Sequence, residues 1–353
     1  MMRIRPMLIA PLLLALASCN RNNESAGPAA PAGQAAPRLK IGYVLHGLND
    51  FTAVIKRGAE DAGKALGVDV EVIGPSSFKS DEAIAMFEGM VQKKKDGLAV
   101  VPMPGEVWVK PIKEAVDAGI PVATSNMTSP ESKADVWVGQ DEYQSGVILA
   151  QELTKQLKAE GKSGGRILAG ICAPEVAVLQ DRYRGLQKGL EGSGFTATDA
   201  KNVGTENTAN YAAWENQATA NPDVVATAGL CSMDIPNLAK LKTRTKAKWL
   251  IGGYDLNQET LDSIKAGTTH VTLGQHPYLQ GYLPVLALVQ HLRDKKPMPK
   301  GWINVTTEIV TKANVDSIYP RETDKAAETK WYADFIAKNF ADLSAIAKPL
   351  PKH

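Results

Sequence analysis

Two short apolar runs separated by one helix-length segment constrain this chain most. Leu250-Ile251-Gly252-Gly253-Tyr254 and Val271-Thr272-Leu273-Gly274 are each short enough for a buried parallel strand. Each is followed at once by a polar residue, Asp255 and Gln275. Between them, Asn257 to Gly267 carries Leu261 and Ile264 at helical spacing and ends on glycine, so the unit reads strand, helix, strand. Ligands of open parallel sheets bind beyond the carboxyl ends of the strands. Two roles are therefore open to Asp255 and Gln275: capping their strands, or meeting a ligand in a crevice.

The strands on either side extend this pattern. Leu39 to Leu45 is an apolar run, Ala53 to Leu66 is helically periodic and stops at Gly67, and Val68 to Ile73 is the next strand. Lys79 to Lys95 reads as a helix, Gly97 to Val101 as a strand, Val107 to Ala118 as a helix, and Ile120 to Thr124 and Asp135 to Val138 as strands. The alternation then restarts with helix Glu142 to Glu160, strand Arg166 to Cys172 and helix Val176 to Gly192. Strand Thr196 to Val203, helix Ala209 to Ala220 and strand Val224 to Cys231 continue it. Strict alternation means parallel sheets covered on both faces, and two successive blocks mean two similar lobes. Helix Leu279 to Arg293 and strand Trp302 to Thr311 follow, and Glu328 to Phe340 reads as an amphipathic helix with Trp331, Phe335 and Ile336 on its buried face.

The N-terminus speaks to compartment. Met1 to Arg5 is short and basic, Met7 to Leu16 is apolar but too short to span a membrane comfortably, and Leu16-Ala17-Ser18-Cys19 sets small residues before a cysteine. This resembles a bacterial lipoprotein signal. The resemblance implies a signal peptide over residues 1–18, lipidation of Cys19, and a lipid anchor to a membrane in the periplasm or cell envelope. Residues 19–37, rich in Asn, Ser, Gly, Ala and Pro, read as a flexible tether. The chain from Arg38 onward is too long for one ordinary core and suits two lobes of about 150 residues each. Lys and Arg total 40 against 38 Asp and Glu, and no basic stripe is visible, which argues against nucleic acid as partner. Beyond Cys19 the only cysteines are Cys172 and Cys231, an even number where disulfides can form.

Several landmarks recur in a familiar order: Ile41 to Phe51, Gly119-Ile120-Pro121-Val122, Val138-Gly139-Gln140-Asp141, Asn221-Pro222-Asp223-Val224, Ile251 to Asp255, and Gly274-Gln275. In this order the chain resembles the type I periplasmic solute-binding proteins, especially the ribose-like sugar-binding subunits of ABC importers, from Leu39 to about Lys312. The resemblance implies an α/β protein of two doubly wound parallel-sheet lobes joined by a three-crossing hinge. It assigns residues 38–140 plus 276–304 to the N-terminal lobe and 141–275 plus 305–353 to the C-terminal lobe. It further implies a small-molecule ligand, a sugar or polyol, held by closure of the lobes, an ABC permease as partner, and a monomer. A sensor presenting the same closed lobes to a membrane receptor would need the same cleft. Sugar repressors of this fold carry an N-terminal DNA-binding helix pair, where this chain has its signal and tether.

The resemblance also implies a ligand set. Asn49, Asp50 and Phe51 match the polar and aromatic contacts of the first loop, one residue short of the usual spacing, with Thr52 where a second aromatic is common. His46 ends the first strand and either points inward or is a solvent-facing or structural histidine. Asn126-Met127 stands where sugar binders often carry an Asp-Arg pair, and Gln180 falls near a usual arginine that Arg182 could replace. The pocket should therefore be less charged than the common hexose or ribose site, which leaves a polyol, a deoxysugar, a furanose or a non-sugar open. Asp255 and Gln275 keep the family pattern, with Gln275 also a hinge residue. Trp108 is either a stacking wall or packing against the neighbouring helix. Trp137 and Trp214 read as core. Cys172 and Cys231 end strands that are neighbours in the doubly wound order, so they form either a disulfide beside the site or two buried thiols.

Enzyme signatures are incomplete. Gly161-Lys162-Ser163 lacks the earlier glycine of a phosphate loop, and Gly192-Ser193-Gly194 follows a helix rather than a strand. His46, His276 and Asp255 could meet in a cleft, but no nucleophile or metal set accompanies them. No catalytic residue, metal or cofactor is expected.

Overall fold

The structure is a computed structural model that describes residues 38–352, so the signal, the tether and Cys19 lie outside the described residues. The chain opens with β1 (Lys40–Val44), α1 (Asp50–Leu66), β2 (Asp69–Ile73), α2 (Ser80–Gln92) and β3 (Gly97–Val100), followed by α3 (Val109–Asp117), β4 (Val122–Ser125) and β5 (Val136–Gly139). It crosses to α4 (Glu142–Ala159), β6 (Gly165–Ile171), α5 (Ala177–Leu190), β7 (Phe195–Ala197), β8 (Lys201–Asn202) and α6 (Asn207–Ala220). Then come β9 (Ala226–Gly229), α7 (Asp234–Thr245), β10 (Leu250–Tyr254), α8 (Gln258–Lys265) and β11 (Val271–Gly274). The last elements are α9 (Pro277–Leu292), β12 (Gly301–Asn304), β13 (Glu308–Thr311), α10 (Val315–Thr323), α11 (Lys325–Asn339) and α12 (Leu343–Ile346).

The first sheet has the order β12-β5-β4-β3-β1-β2, and all its pairings are parallel. The second runs β13-β11-β10-β9-β6-β7, with β8 also parallel to β6; among the described residues only β13 is antiparallel to its neighbour. Central strands buried on both faces need continuous apolar runs, and β3 (Gly-Leu-Ala-Val) and β10 (Leu-Ile-Gly-Gly-Tyr) are buried at every residue. Helix α1 starts on a capping box in which Asn49 Oδ1 accepts from the Thr52 N–H and Thr52 Oγ1 from the Asn49 N–H. It buries Ile55, Ala59 and Ala62.

In each lobe a helix pair touches backbone to backbone. A Cβ on Gly281 would lie 1.9 Å from the Ile55 carbonyl oxygen, where α9 meets α1, and one on Gly185 would lie 1.9 Å from that of Tyr143, where α5 meets α4. Only glycine permits these approaches.

Two expectations are corrected. Trp302 to Thr311 is not one strand: it breaks at Val305–Thr307, where Thr306 takes φ 64°, so that β12 joins the first sheet and β13 the second. Residues 305–353 do not all stay with the C-terminal lobe. Val310, Val315 and Ile318 pack there with Leu261 and Ile264. From α11 onward the chain returns: Tyr332, Ile336, Phe340 and Leu343 are buried with Ile41, Tyr278 and Leu283 of the first lobe, and Lys348 pairs with Trp302. The cause is the apolar stripe of the last helices, which finds its cover on α9; the Tyr332 ring stacks on Tyr278 at 4.3 Å. The lobes are thus joined near residues 140–141, 275–276 and 305–307 and a fourth time at Asp324.

Candidate functional site

The carboxyl ends of the strands in both sheets face a cleft of about 580 Å³. Asn49, Asp50 and Phe51 line it from the first lobe, Asp255 from the second, and Gln275 and His276 from the hinge. Asn126, Asp255 and His276 each lie within two residues of a strand end and take φ values of 59°, 75° and 47°. That left-handed backbone is costly outside glycine and clusters where side chains must be aimed.

Asp255 is 8% exposed and accepts from Gln275 Nε2 at 2.7 Å. Burial pushes its carboxyl up to about 6, against the pull of Arg182 and the Gln275 hydrogen bond. Gln275 Oε1 in turn accepts from Arg182 Nη2 at 3.0 Å, and the Gln275 carbonyl accepts from Gln280 Nε2 at 2.7 Å. Gln280 Oε1 accepts from Asn126 Nδ2 at 2.9 Å, and its carbonyl takes hydroxyl donors from Tyr43 and Ser125. A single buried network therefore runs from the first sheet through the hinge to Asp255, and it fixes the carboxylate before any ligand arrives.

Arg182 is part of that network rather than of the cleft surface. Its guanidinium meets both oxygens of Glu142, donates to the Leu230 carbonyl at 2.8 Å and lies 4.1 Å from the centre of the Tyr254 ring. Burial works against its charge, but the Glu142 carboxylate outweighs this and holds Arg182 above its ordinary range. Gln140 Nε2 donates to the same carboxylate at 2.9 Å and Gln140 Oε1 accepts from Thr307 at 3.0 Å, so two hinge segments share the network.

The remaining candidates divide. Trp108 is a correction to the stacking-wall reading: it is fully buried, edge-on to Phe87 and beside Ile112, because the segment 105–108 turns its indole under the sheet. Gln180 commits its amide to the Pro174 carbonyl at 2.6 Å. His46 is buried and stacks on Phe78 at 5.2 Å with Nδ1 unpartnered, and burial lowers its pKa to about 4. Cys172 and Cys231 form a disulfide with Cα atoms 6.1 Å apart. Trp137 and Trp302 stack at the hinge, their indole N–H groups donating to the carbonyls of Asn126 and Gly139.

Sequence reasoning missed several cleft residues. Ser232 and Met233 follow β9 and could have been found by the strand-end rule that singled out Asp255. The Cys231 N–H just before them is held by buried Asp234, whose other oxygen accepts from Asn210 and Trp214. Arg57, Glu322, Glu328 and Tyr332 also line the cleft, from α1, α10 and α11. No local signal marks them, because they reach it only through the return of the C-terminal helices. A second depression, of about 510 Å³, lies at the other end of the second lobe around Lys162, Asp223 and Trp249, away from the strand ends. Among the described residues no group of three or more His, Cys, Asp or Glu is arranged to hold a metal.

A profile described as "Periplasmic binding protein domain" matches residues 41–296. The xylose/arabinose-binding protein XylF of Sulfolobus acidocaldarius is 26% identical over 300 residues, covering 79% of this chain and 72% of the relative. The ribose import binding protein RbsB of Bacillus subtilis is 24% identical over 258 residues, covering 72% and 82%. Among solved structures, the glucose-galactose binding protein GanP of Geobacillus stearothermophilus superposes with a TM-score of 0.70 at 26% identity, covering 79% of this chain and 99% of that one. A solute-binding protein of Burkholderia graminis in complex with D-arabinose has the same fold, with a TM-score of 0.75 at 22% identity, covering 81% and 99%.

Proposed function

Because the chain belongs to the periplasmic binding protein family, we propose that it captures a small neutral sugar or polyol between its lobes and delivers it to an ABC-type permease. The observation that carries this reading is the preset Asp255: a buried carboxylate, oriented by Gln275 at 2.7 Å, facing a cleft that Asn49, Asp50 and Phe51 line from the opposite lobe. Carboxylate and amide groups match the hydroxyl edge of a sugar, and Phe51 offers a wall for its C–H face. The named relatives are binding proteins, and the role assigned here is likewise binding without turnover.

The protein works outside the cytoplasmic membrane. Lipidation at Cys19 holds it to a membrane, with residues 20–37 as tether, and it acts as a monomer. A thermal-shift screen of the chain from Arg38 onward against pentoses, hexoses and polyols tests the binding role. A ligand that binds only the folded state at 100 times its Kd adds about 2.7 kcal/mol of stability. A sugar or polyol that raises Tm supports the reading, and no shift across the panel with folded protein overturns it.

A further inference from the structure

The returning C-terminal helices do more than join the lobes. Glu328 and Tyr332 of α11 line the cleft on the first-lobe side beside Arg57 of α1, while Glu322, at the end of α10, lines it on the second-lobe side. Arg57 Nη2 donates to Glu328 Oε1 at 2.5 Å, and Arg57 Nε is buried without an acceptor. Thus the guanidinium is neutralised by one partner yet keeps an unused donor. Glu322 is held by Arg321 at 2.7 Å, and Arg321 is itself paired with both oxygens of Glu308.

The charge of the cleft is accordingly one-sided. Among the described residues, Asp50, Asp255, Glu259, Glu322 and Glu328 line it against one lining guanidinium, Arg57, with Arg321 behind Glu322, and buried His276 is held neutral, its pKa lowered to about 4. Arg182, the other arginine near the floor, is fully committed to Glu142 and Gln275. Burial raises the pKa of Glu322, and repulsion from the Glu328 carboxylate raises it further; burial likewise raises that of Glu328. A hydroxyl donor at Glu322 relieves this repulsion, and an added carboxylate or phosphate worsens it.

We propose that Arg57, Glu322 and Glu328 form a charge-selective flank of the ligand cleft, which hydrogen-bonds a neutral sugar or polyol and rejects the corresponding sugar acid. This rests on the sugar-binding reading above and adds the residues that set its selectivity.

The test uses the chain from Arg38 onward and isothermal titration with D-glucose, D-galactose, D-xylose and D-arabinose and with D-glucuronate and D-galacturonate. The parent is expected to bind at least one neutral sugar and to bind the uronates more than about tenfold more weakly. Glu322→Gln and Glu328→Gln, each made singly and shown to be folded, are expected to narrow that ratio about five- to tenfold. Arg57→Gln is expected to weaken the neutral sugar. A folded variant that weakens all ligands together and leaves the ratio unmoved counts against the proposal. A parent that binds a uronate as tightly as a neutral sugar overturns it, as do glutamine variants with the parent's ratio. A parent that binds none of the neutral sugars or uronates and shows no shift with any pentose, hexose or polyol overturns the sugar reading and this proposal together, whereas a parent that binds a neutral sugar without the expected ratio overturns this proposal alone.

Discussion

Arg182 and Glu142 meet across 40 residues of chain as an ion pair exposed by no more than 5%, with Nε to Oε2 at 2.5 Å and Nη2 to Oε1 at 3.0 Å. The pair ties the first helix of the second lobe to α5, and through Gln275 it sets the orientation of Asp255. A buried bidentate pair of this kind contributes little net stability but is costly to break on one side.

Glu142→Gln should therefore destabilise the protein by about 3 to 5 kcal/mol, since it leaves the Arg182 charge buried with only neutral acceptors. Replacing both residues by leucine and methionine should cost far less than the sum of the single changes. Urea unfolding of Glu142→Gln and of Glu142→Leu, Arg182→Met and the double variant checks this, and additive losses would contradict it.

Asp255 should give the pH dependence of both stability and binding. Its folded-state pKa, about 6, stands above the ordinary 3.8, so between these values the folded form holds a proton that the unfolded form has lost. Stability from this group therefore falls as pH rises from about 4 to 6, by about 3 kcal/mol at most, and is flat above that. Asp255→Asn should lack this slope, so that the difference in stability between parent and variant isolates it. Ligand affinity should move the other way, weakening as pH drops below 6 and the acceptor is protonated. The same variant should lower affinity about 10- to 100-fold at pH 7. Parallel titrations from pH 4.5 to 7.5 would reveal the two opposed trends.

The Cys172–Cys231 disulfide closes a loop with a sequence separation of 59 residues. Reduction, or replacement of both cysteines by serine, should lower stability by about 2 to 4 kcal/mol. Because Ser232 and Met233 of the cleft wall follow Cys231 directly, ligand affinity should weaken as well. Melting with and without reductant, and titration of the same samples with ligand, would check both expectations.

Trp108 separates core from cleft. Trp108→Ala should cost about 3 to 5 kcal/mol through the cavity left beside Phe87 and Ile112. Trp108→Phe, shown to be folded, should bind ligand as the parent does. A loss of affinity in that variant would return the indole to the ligand site.

Much of this arrangement was written locally. The alternation of apolar runs with helical periods from Leu39 to Gly274 carried the two-sheet architecture, because a strand buried on both faces must be apolar throughout and its crossover helix must be amphipathic. The polar residues directly after those runs, Asp255 and Gln275, were visible as strand-end groups by the same logic, whereas the adjacency of Cys172 and Cys231 needed the strand order and their bonding the structure. What local pattern could not decide was which way a side chain turns and which surface a late helix covers. Trp108 and Phe51 both stand in the first turn of structure after a strand, yet one is under the sheet and the other faces the cleft. Arg182 reads as a ligand arginine until Glu142 is seen beside it. The C-terminal helices carry an apolar stripe that fits either lobe, and only the α9 surface, with Tyr278 ready to stack on Tyr332, decides in favour of the first. Periodicity is a property of neighbours along the chain and is legible there, whereas partner choice depends on residues hundreds of positions apart and is settled by which pairing buries more surface and leaves no charge alone.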